Sequence, residues 1–395
     1  MIGANLARRA LAALGRTRGG AHREPSVSEL NFFFATPCMG GAERVHADIV
    51  QAAGSPKATV FFTERARSTE LLAEYQRFAH VEDISSATRS RARFYMRAGS
   101  IAAAINAQRA PVVFGGHSDF FYRILPYLAP HVRCFDILHN LGWRFEHLSL
   151  PYVAKLDARV LINFQTFEDL RTLYRERGVP EELLVRLRVI ENCCYVPQTC
   201  PTRKAGPLRV LFVGRGDKVK RAHLAGHIAT ACGALLPGAS FTLVGDLESW
   251  IEAKDREFCT LTGPISDPAR LREIYAQNDL LLLTSSTEGF PLVVMEAMAH
   301  GCVPLCTNVG GLRFRIDHGV NGLLFDPGNE GTIVSAMVEA IVALAGDNTR
   351  RESMTAAAFA TADKYFRRER FDAAYRDLLL GAKTAFAHAP IDPHA

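Results

Sequence analysis

DLLLLTSSTEGFPLVVMEAMAHGCVPLCTNVGGLRFRIDHGVNGLLFDP, residues 279–327, decides the fold class of this 395-residue chain. It opens on an apolar run at 280–284, as expected of a strand buried on both faces of a parallel sheet. Glu288 and Gly289 form a turn, and Pro291 suits a helix start because its missing N–H would be unpaired there anyway. In open α/β sheets, ligands bind at such strand–turn–helix junctions beyond the carboxyl ends of the strands. The helix start offers the N–H groups of Leu292 and Val293 and the positive end of the helix dipole to a phosphate. Glu296 lies ~7.5 Å further along the helix axis, with a side chain tilted back toward that end. A lone Glu is ordinarily a solvated carboxylate, but Met295, Ala297, Met298 and Ala299 around Glu296 are apolar. With Glu288 in the loop, two carboxylates flank the anion site, which suits a ligand carrying both phosphate and sugar hydroxyls.

Outward from this stretch the same alternation continues, predicting α/β architecture with mostly parallel sheets. In the second half, strands are expected at 209–213, 240–244, 258–261, 280–284 and 303–306. In the first half they are expected at 30–35, 58–63, 111–114, 132–137 and 159–162, with helices at 43–52, 68–78 and 99–107. Between the halves, PQTCPTRKAGPL at 197–208 is a linker by composition. The domain reading is an N-terminal arm at 1–28, a Rossmann-like domain at 29–196 and a linker at 197–207. A second Rossmann-like domain follows at 208–362, with a terminal helix at 363–385. That helix places Phe371, Tyr375, Leu378 and Leu379 on one apolar face, which needs a surface to cover.

Three further constellations follow predicted strands. In VGRGDKVKR, 213–221, Arg215 and Lys220 suit the oxygens of one diphosphate, the first as a fork and the second as a point charge. Lys218 and Arg221 are nearby alternatives, and solvated basic residues are the ordinary reading of such a run. Val219 stands where a GxGxxG fingerprint needs its third glycine, and no GxxxxGK[ST] occurs, so neither a dinucleotide fingerprint nor a P-loop is supported. In CMGGAERVHADIV, 38–50, Gly40 and Gly41 let the backbone approach a ligand at a helix start, although a bare turn uses glycines equally well. In FDILHNLGW, 135–143, His139 ends an apolar strand; His117, in FGGHSD, is the weaker candidate of the same kind.

Composition excludes several classes. The formal charge is +5, but residues 1–28 hold five Arg against one Glu, and the body is nearly neutral. A nucleic-acid reader carries its basic stripe on the folded domain, so no nucleic-acid partner is expected. The best apolar run, 332–345, is shorter than the ~20 residues of a membrane span and contains Glu339. The start lacks the apolar region of a secretory signal. The nine Cys form no CxxC, and neither Cys193–Cys194 nor Cys302/Cys306 has zinc-site spacing, so reduced thiols and a cytoplasmic location are expected.

The motifs together resemble glycosyltransferase family 4, the group 1 glycosyl transferases: retaining enzymes of the GT-B fold. Glu288 and Glu296, with seven residues between them, resemble that family's paired-glutamate motif; AMAHGCVPLCTNVGGL and HGVNGLLFDPG resemble its continuation. GGAERV resembles its N-domain glycine loop, and Arg215 with Lys220 its diphosphate clamp. The resemblance implies two Rossmann-like domains facing a central cleft, with the last helix returning to the first domain. It implies a nucleotide-diphosphate sugar as donor. Arg215 and Lys220 would hold the diphosphate, Glu296 the ribose, and Glu288 the sugar beside the reacting carbon. Gly289, Phe290, Leu292 and Val293 would line that site. Gly40 and Gly41 would approach the phosphates, and His139 the sugar.

The implied acceptor is a glycan, a lipid-linked sugar or a small molecule. Electrostatic stabilisation of the leaving diphosphate by cations and a helix start requires no metal in principle, and no Asp-x-Asp occurs; neither metal nor other cofactor is expected. Pro291 and Arg221 stand where the family commonly has glycine. The rivals are a nucleotide-sugar epimerase of the same fold and a non-catalytic nucleotide-sugar-binding protein. The arm is expected to be disordered. Its alternative is contact with an anionic membrane surface, through Leu6, Ala10 and Leu14 at helical spacing among Arg8, Arg9, Arg16, Arg18 and Arg23.

Overall fold

The computed structural model describes residues 2–17, 25–54, 58–142, 144–203 and 205–381. They fall into two compact units. The first runs to Ile190 and resumes at Asp372; the second is Glu191–Phe371.

The first unit carries strands β1 (Leu30–Phe34), β2 (Ala58–Phe62), β3 (Ala79–Asp83), β4 (Val112–Gly116), β5 (Arg133–Leu138), β6 (Ala158–Leu161) and β7 (Leu187–Val189). They form one parallel sheet in the order β3-β2-β1-β4-β5-β6-β7. The second unit carries β8 (Arg209–Val213), β9 (Ser240–Val244), β10 (Thr260–Leu261), β11 (Leu280–Leu283), β12 (Val303–Thr307) and β13 (Leu323–Phe325). These are also parallel, in the order β10-β9-β8-β11-β12-β13. In each sheet the chain reverses its direction of winding once, between β1 and β4 and between β8 and β11, and these gaps are the topological switch points.

The two-residue period of a strand explains the unbroken Leu run. Leu280 and Leu282 join one apolar layer with Val210 and Phe212, whereas Leu281 and Leu283 join the other with Leu211. The first sheet is likewise apolar on both sides: Phe33 packs with Phe61 and Val113, while Phe32 and Phe34 contact Phe114. Polar side chains do enter this sheet, where Asp136 of β5 stands opposite Arg159 of β6. Both are buried, with Arg159 Nε donating to Asp136 Oδ1 at 3.0 Å, Tyr122 hydroxyl to Asp136 Oδ2 at 2.9 Å, and Arg159 Nη1 to the Tyr174 hydroxyl at 2.6 Å.

The strands β3, β7 and β13 are not among those expected from periodicity, and all three lie at sheet edges. An edge strand is short and half exposed, so it lacks the apolar run that marks its neighbours; β3 shows only partial burial along its length. Residues 89–97 form an Arg-rich run. From Arg91 it is the first half of a helix, Arg91–Asn106, because its arginines, alanines and methionine favour helix and Gly99 admits a close neighbour.

That neighbour corrects the reading of the N-terminal arm. Ile2–Thr17 is a helix whose Ala12 and Gly15 are buried against Arg91–Asn106. A Cβ on Gly15 would overlap the Met96 carbonyl, and one on Gly99 that of Ala12, so the two backbones nearly touch. Arg8 lies over the Tyr95 ring at 5.7 Å. The docked face is 8, 11, 12 and 15, which leaves Ala10 and Leu14 of the expected apolar stripe exposed beside Arg9 and Arg16. The side chain of Leu6, and Arg18 and Arg23 altogether, lie outside the described residues.

The chain's end is two helices, Asn348–Tyr365 and Arg368–Leu380, rather than one starting at 363; residues 382–385 of that expectation lie outside the described residues. Phe371, Tyr375, Leu378 and Leu379 are buried. From Asp372 onward the last helix packs in the first unit. Tyr375 meets Phe114 edge-on, Arg376 donates to the Ala52 carbonyl, and Arg133 donates to the Leu379 and Gly381 carbonyls. No described helix is long and apolar enough to cross a membrane.

Candidate functional site

The switch point of the second unit lies between the loop after β8 and the turn after β11, and hydrogen bonds stitch the two together. Thr284 hydroxyl donates to the Lys220 carbonyl at 2.9 Å, and Ser286 N–H to the Val219 carbonyl at 2.8 Å. Arg221 is left-handed at φ 49°, a conformation that strains any residue with a Cβ. Its guanidinium offsets that strain by donating to the carbonyls of Thr284, Ser285 and Pro327. The substitution of arginine at a position suited to glycine therefore has a structural reason: Arg221 is a buried clamp on the end of β11, not a ligand-facing cation.

This stitching delivers Lys220 to Glu288. Lys220 Nζ lies 2.5 Å from Glu288 Oε1, which also accepts from Ser285 Oγ at 2.6 Å. Both charged side chains are mostly buried, at 18% and 11% exposure. The turn is braced from behind by Gly310. With φ 58° and no room for a Cβ against the Glu288 and Gly289 carbonyls, only glycine fits there. Gly311 N–H donates to the Gly289 carbonyl at 2.8 Å.

Pro291 caps the helix Leu292–Ala299 rather than opening it, so the N–H groups of Leu292 and Val293 precede the first bond of the ladder, Val294 N–H to the Pro291 carbonyl. The Phe290 ring is buried in the apolar layer, 5.5 Å from the Phe366 ring, which leaves only its backbone at the turn. Glu296 Oε2 accepts from the Tyr275 hydroxyl at 2.9 Å. Burial, then the Glu296 charge, pushes that phenol well above its usual range and keeps it a donor. Glu296 lines a small recess with Tyr195, Leu271, Arg272 and His300. Arg215 stands apart from Lys220: its side chain is 80% exposed and pairs with Asp217 at 3.4 Å, while Asp217 Oδ1 accepts from Lys220 N–H and shapes the loop.

In the first unit, Gly40 caps the helix Gly41–Ala53, and a side chain at Gly41 would meet open space. His139 is buried, with Nε2 3.0 Å from Nε2 of His46. His117 joins them, its ring 4.9 Å from that of His139 and 5.6 Å from that of His46. Sequence reasoning placed His139 and His117 separately and passed over His46, as it passed over Ser285 and Tyr275. The signal available for His117 and His139 was that each directly follows an apolar strand; His46, within the helix Gly41–Ala53, carried no such signal.

Against known proteins, residues 207–347 match the family model described as "Glycosyl transferases group 1". The chain is similar to the D-inositol 3-phosphate glycosyltransferase of Nocardia farcinica, 36% identical over 91 residues, 23% of this chain and 19% of that protein. It is 32% identical over 152 residues to the N-acetyl-alpha-D-glucosaminyl L-malate synthase of Bacillus anthracis, 35% of this chain and 37% of that protein. The chain thus matches well under half the length of either relative. The structure of Anabaena HepE in complex with UDP superposes with a TM-score of 0.70 at 17% identity, over 90% of this chain and 100% of that one. The lipopolysaccharide outer core galactosyltransferase WaaB superposes at 0.66 and 19% identity, over 89% and 100%.

The fold is GT-B.

Both sheets of this GT-B chain end in loops that gather polar side chains at the switch point. The second does so with an ion pair beside a helix start, the first with imidazoles.

Proposed function

We propose that the chain is a retaining glycosyltransferase of family 4 that moves a hexose-type sugar from a nucleotide-diphosphate sugar to a glycan, lipid-linked or small-molecule acceptor. The observation that carries this reading is Lys220 Nζ on Glu288 Oε1 beside the start of the helix Leu292–Ala299. A cation, a carboxylate and unpaired N–H groups converge at a switch point, where a phosphorylated sugar has partners for each of its groups.

Breaking the sugar–phosphate bond places positive charge on the anomeric carbon and negative charge on the leaving diphosphate. Lys220, Arg215 and the N–H groups of Leu292 and Val293 stabilise the diphosphate electrostatically, and this step calls for no metal. Glu288 holds sugar hydroxyls near the reacting carbon, and its bonds from Ser285 and Lys220 set its orientation. Glu296, oriented by Tyr275, binds the ribose. The acceptor oxygen attacks on the face the diphosphate leaves, and its proton passes to a departing phosphate oxygen. Gly40, Gly41 and His139 take the roles the resemblance implies for them. The exposed Ala10 and Leu14 with Arg9 and Arg16 support contact with an anionic membrane surface at its cytoplasmic face, where a lipid-linked acceptor is found.

A panel of nucleotide sugars screened by thermal shift, UDP-sugars first because HepE was solved with UDP, identifies the donor; transfer is then assayed with Glu288→Ala and Lys220→Ala. Loss of transfer with the fold intact is expected, and normal turnover by both variants would reject the assignment. Conversion of the donor without any acceptor would instead identify an epimerase.

A further inference from the structure

The first unit contains a cluster of three histidines, of which the proposed transfer uses only His139. His46 comes from the helix after β1, His117 from the residue after β4, and His139 from the residue after β5, so all three converge at the switch point of the first sheet. Their ring nitrogens lie within 4.8 Å of one another. Four-coordinate zinc with nitrogen ligands at about 2.0–2.1 Å sets its ligands roughly 3.3 Å apart. His46 and His139 are already near that spacing at 3.0 Å, and a ring nitrogen of His117 lies within 4.8 Å of both.

We propose that His46, His117 and His139 bind one divalent transition-metal ion of the zinc type, with a fourth position open to water or another oxygen ligand.

The surroundings are arranged for these rings. His117 is left-handed at φ 51°, a strained conformation for a non-glycine residue, and its ring stacks on Phe145 at 5.2 Å. His46 stacks on Phe34 at 4.3 Å. A Cβ on Gly116 would sit 2.5 Å from His46 Nε2, so this glycine keeps the space beside that nitrogen clear. His46 Nδ1 is buried without a hydrogen-bond partner, and no described salt bridge joins a carboxylate to any of the three imidazoles. An all-imidazole set suits zinc, copper, nickel or iron; magnesium takes oxygen ligands. The site is therefore distinct in chemistry from a metal that would accompany a diphosphate, and it does not rest on the glycosyltransferase reading.

The test is metal binding by the full chain after chelator treatment, read with Co²⁺ as a spectroscopic probe and with Zn²⁺ by equilibrium dialysis. One ion per chain is expected, with the visible absorption bands of four-coordinate cobalt. His46→Gln and His117→Asn should each weaken binding by at least about 100-fold, beyond the 10–100-fold that follows loss of an outer-shell partner. Asn tolerates the left-handed backbone, so His117→Asn reports on the ligand and not on folding; circular dichroism checks both variants. The second cluster, His227 with Glu252 and Asp255, serves as control, and His227→Ala should leave binding within about twofold. Absence of stoichiometric binding by the parent chain would overturn the proposal. So would binding that survives His46→Gln and His117→Asn, or that disappears with His227→Ala.

Discussion

At the switch point of the second unit, the loops after β8 and β11 carry Lys220 and Glu288, joined at 2.5 Å. At the switch point of the first, β1 and β4 lead to His46 and His117, with His139 alongside from β5, and burial keeps all three neutral. The first unit also carries formal charge inside its sheet. Its best-formed ion pair, Asp136–Arg159, is buried between β5 and β6 and tied to two tyrosines. The second unit therefore sets an ion pair at its switch point, whereas the first gathers imidazoles at its own and buries an ion pair in the sheet. The same topology serves anion chemistry in one unit and lone-pair chemistry in the other, because topology sets where side chains meet and residue type sets what they do.

The difference can be broken at several points. Asp136→Asn should have the largest effect, lowering stability by about 3–5 kcal/mol because it strands a buried guanidinium. Replacing both partners by apolar residues of similar volume should recover most of that loss. Urea denaturation followed by circular dichroism measures both, and a loss below about 1 kcal/mol would show that the pair is not locked into the sheet. Next, Glu288→Ala should reduce transfer roughly 10²–10³-fold, the range for removing one electrostatic group from a transition state. Its melting temperature should shift by only a few degrees; a collapse of stability would make Glu288 structural and erase the contrast.

Smaller effects sharpen the comparison. Lys220→Ala should weaken UDP binding roughly 10–150-fold, the equivalent of 1.5–3 kcal/mol for a charged hydrogen bond. His139→Ala should change it by less than about threefold, since UDP carries no transferable sugar. Calorimetry that reversed this order would move anion binding to the first unit. Least of all, Arg221→Gly should be more stable than Arg221→Ala by about 1 kcal/mol. Both lose the three carbonyl bonds, but only glycine relaxes at φ 49°.

The buried elements of the fold were the legible ones. The runs at 209–213, 240–244 and 30–34 are strands because a strand covered on both faces must be apolar throughout. The edge strands β3, β7 and β13 were illegible for the converse reason. The docking of Ile2–Thr17 was illegible too, because it rests on two glycines whose value appears only when another helix crosses them. In the candidate site, Glu288 and Lys220 were each legible because each follows an apolar strand in a loop, but their contact was not: the sequence set Lys220 beside Arg215 and Glu288 beside Glu296. Arg221 could not be read as a clamp, since a basic residue in a loop carries no sign of which carbonyls it will reach.

The sequence by itself determined that two parallel-sheet units follow one another, and that a carboxylate and a lysine belong to strand ends in the second. Those features are local, written in hydrophobic periodicity and turn chemistry. Only the tertiary structure decided that Lys220 touches Glu288 across 68 residues of chain and that three histidines spread over 93 residues share one point. The physical reason is the order of strands. Strand order brings the ends of β8 and β11, and of β1, β4 and β5, side by side, and nothing within any one segment encodes which strands will be neighbours.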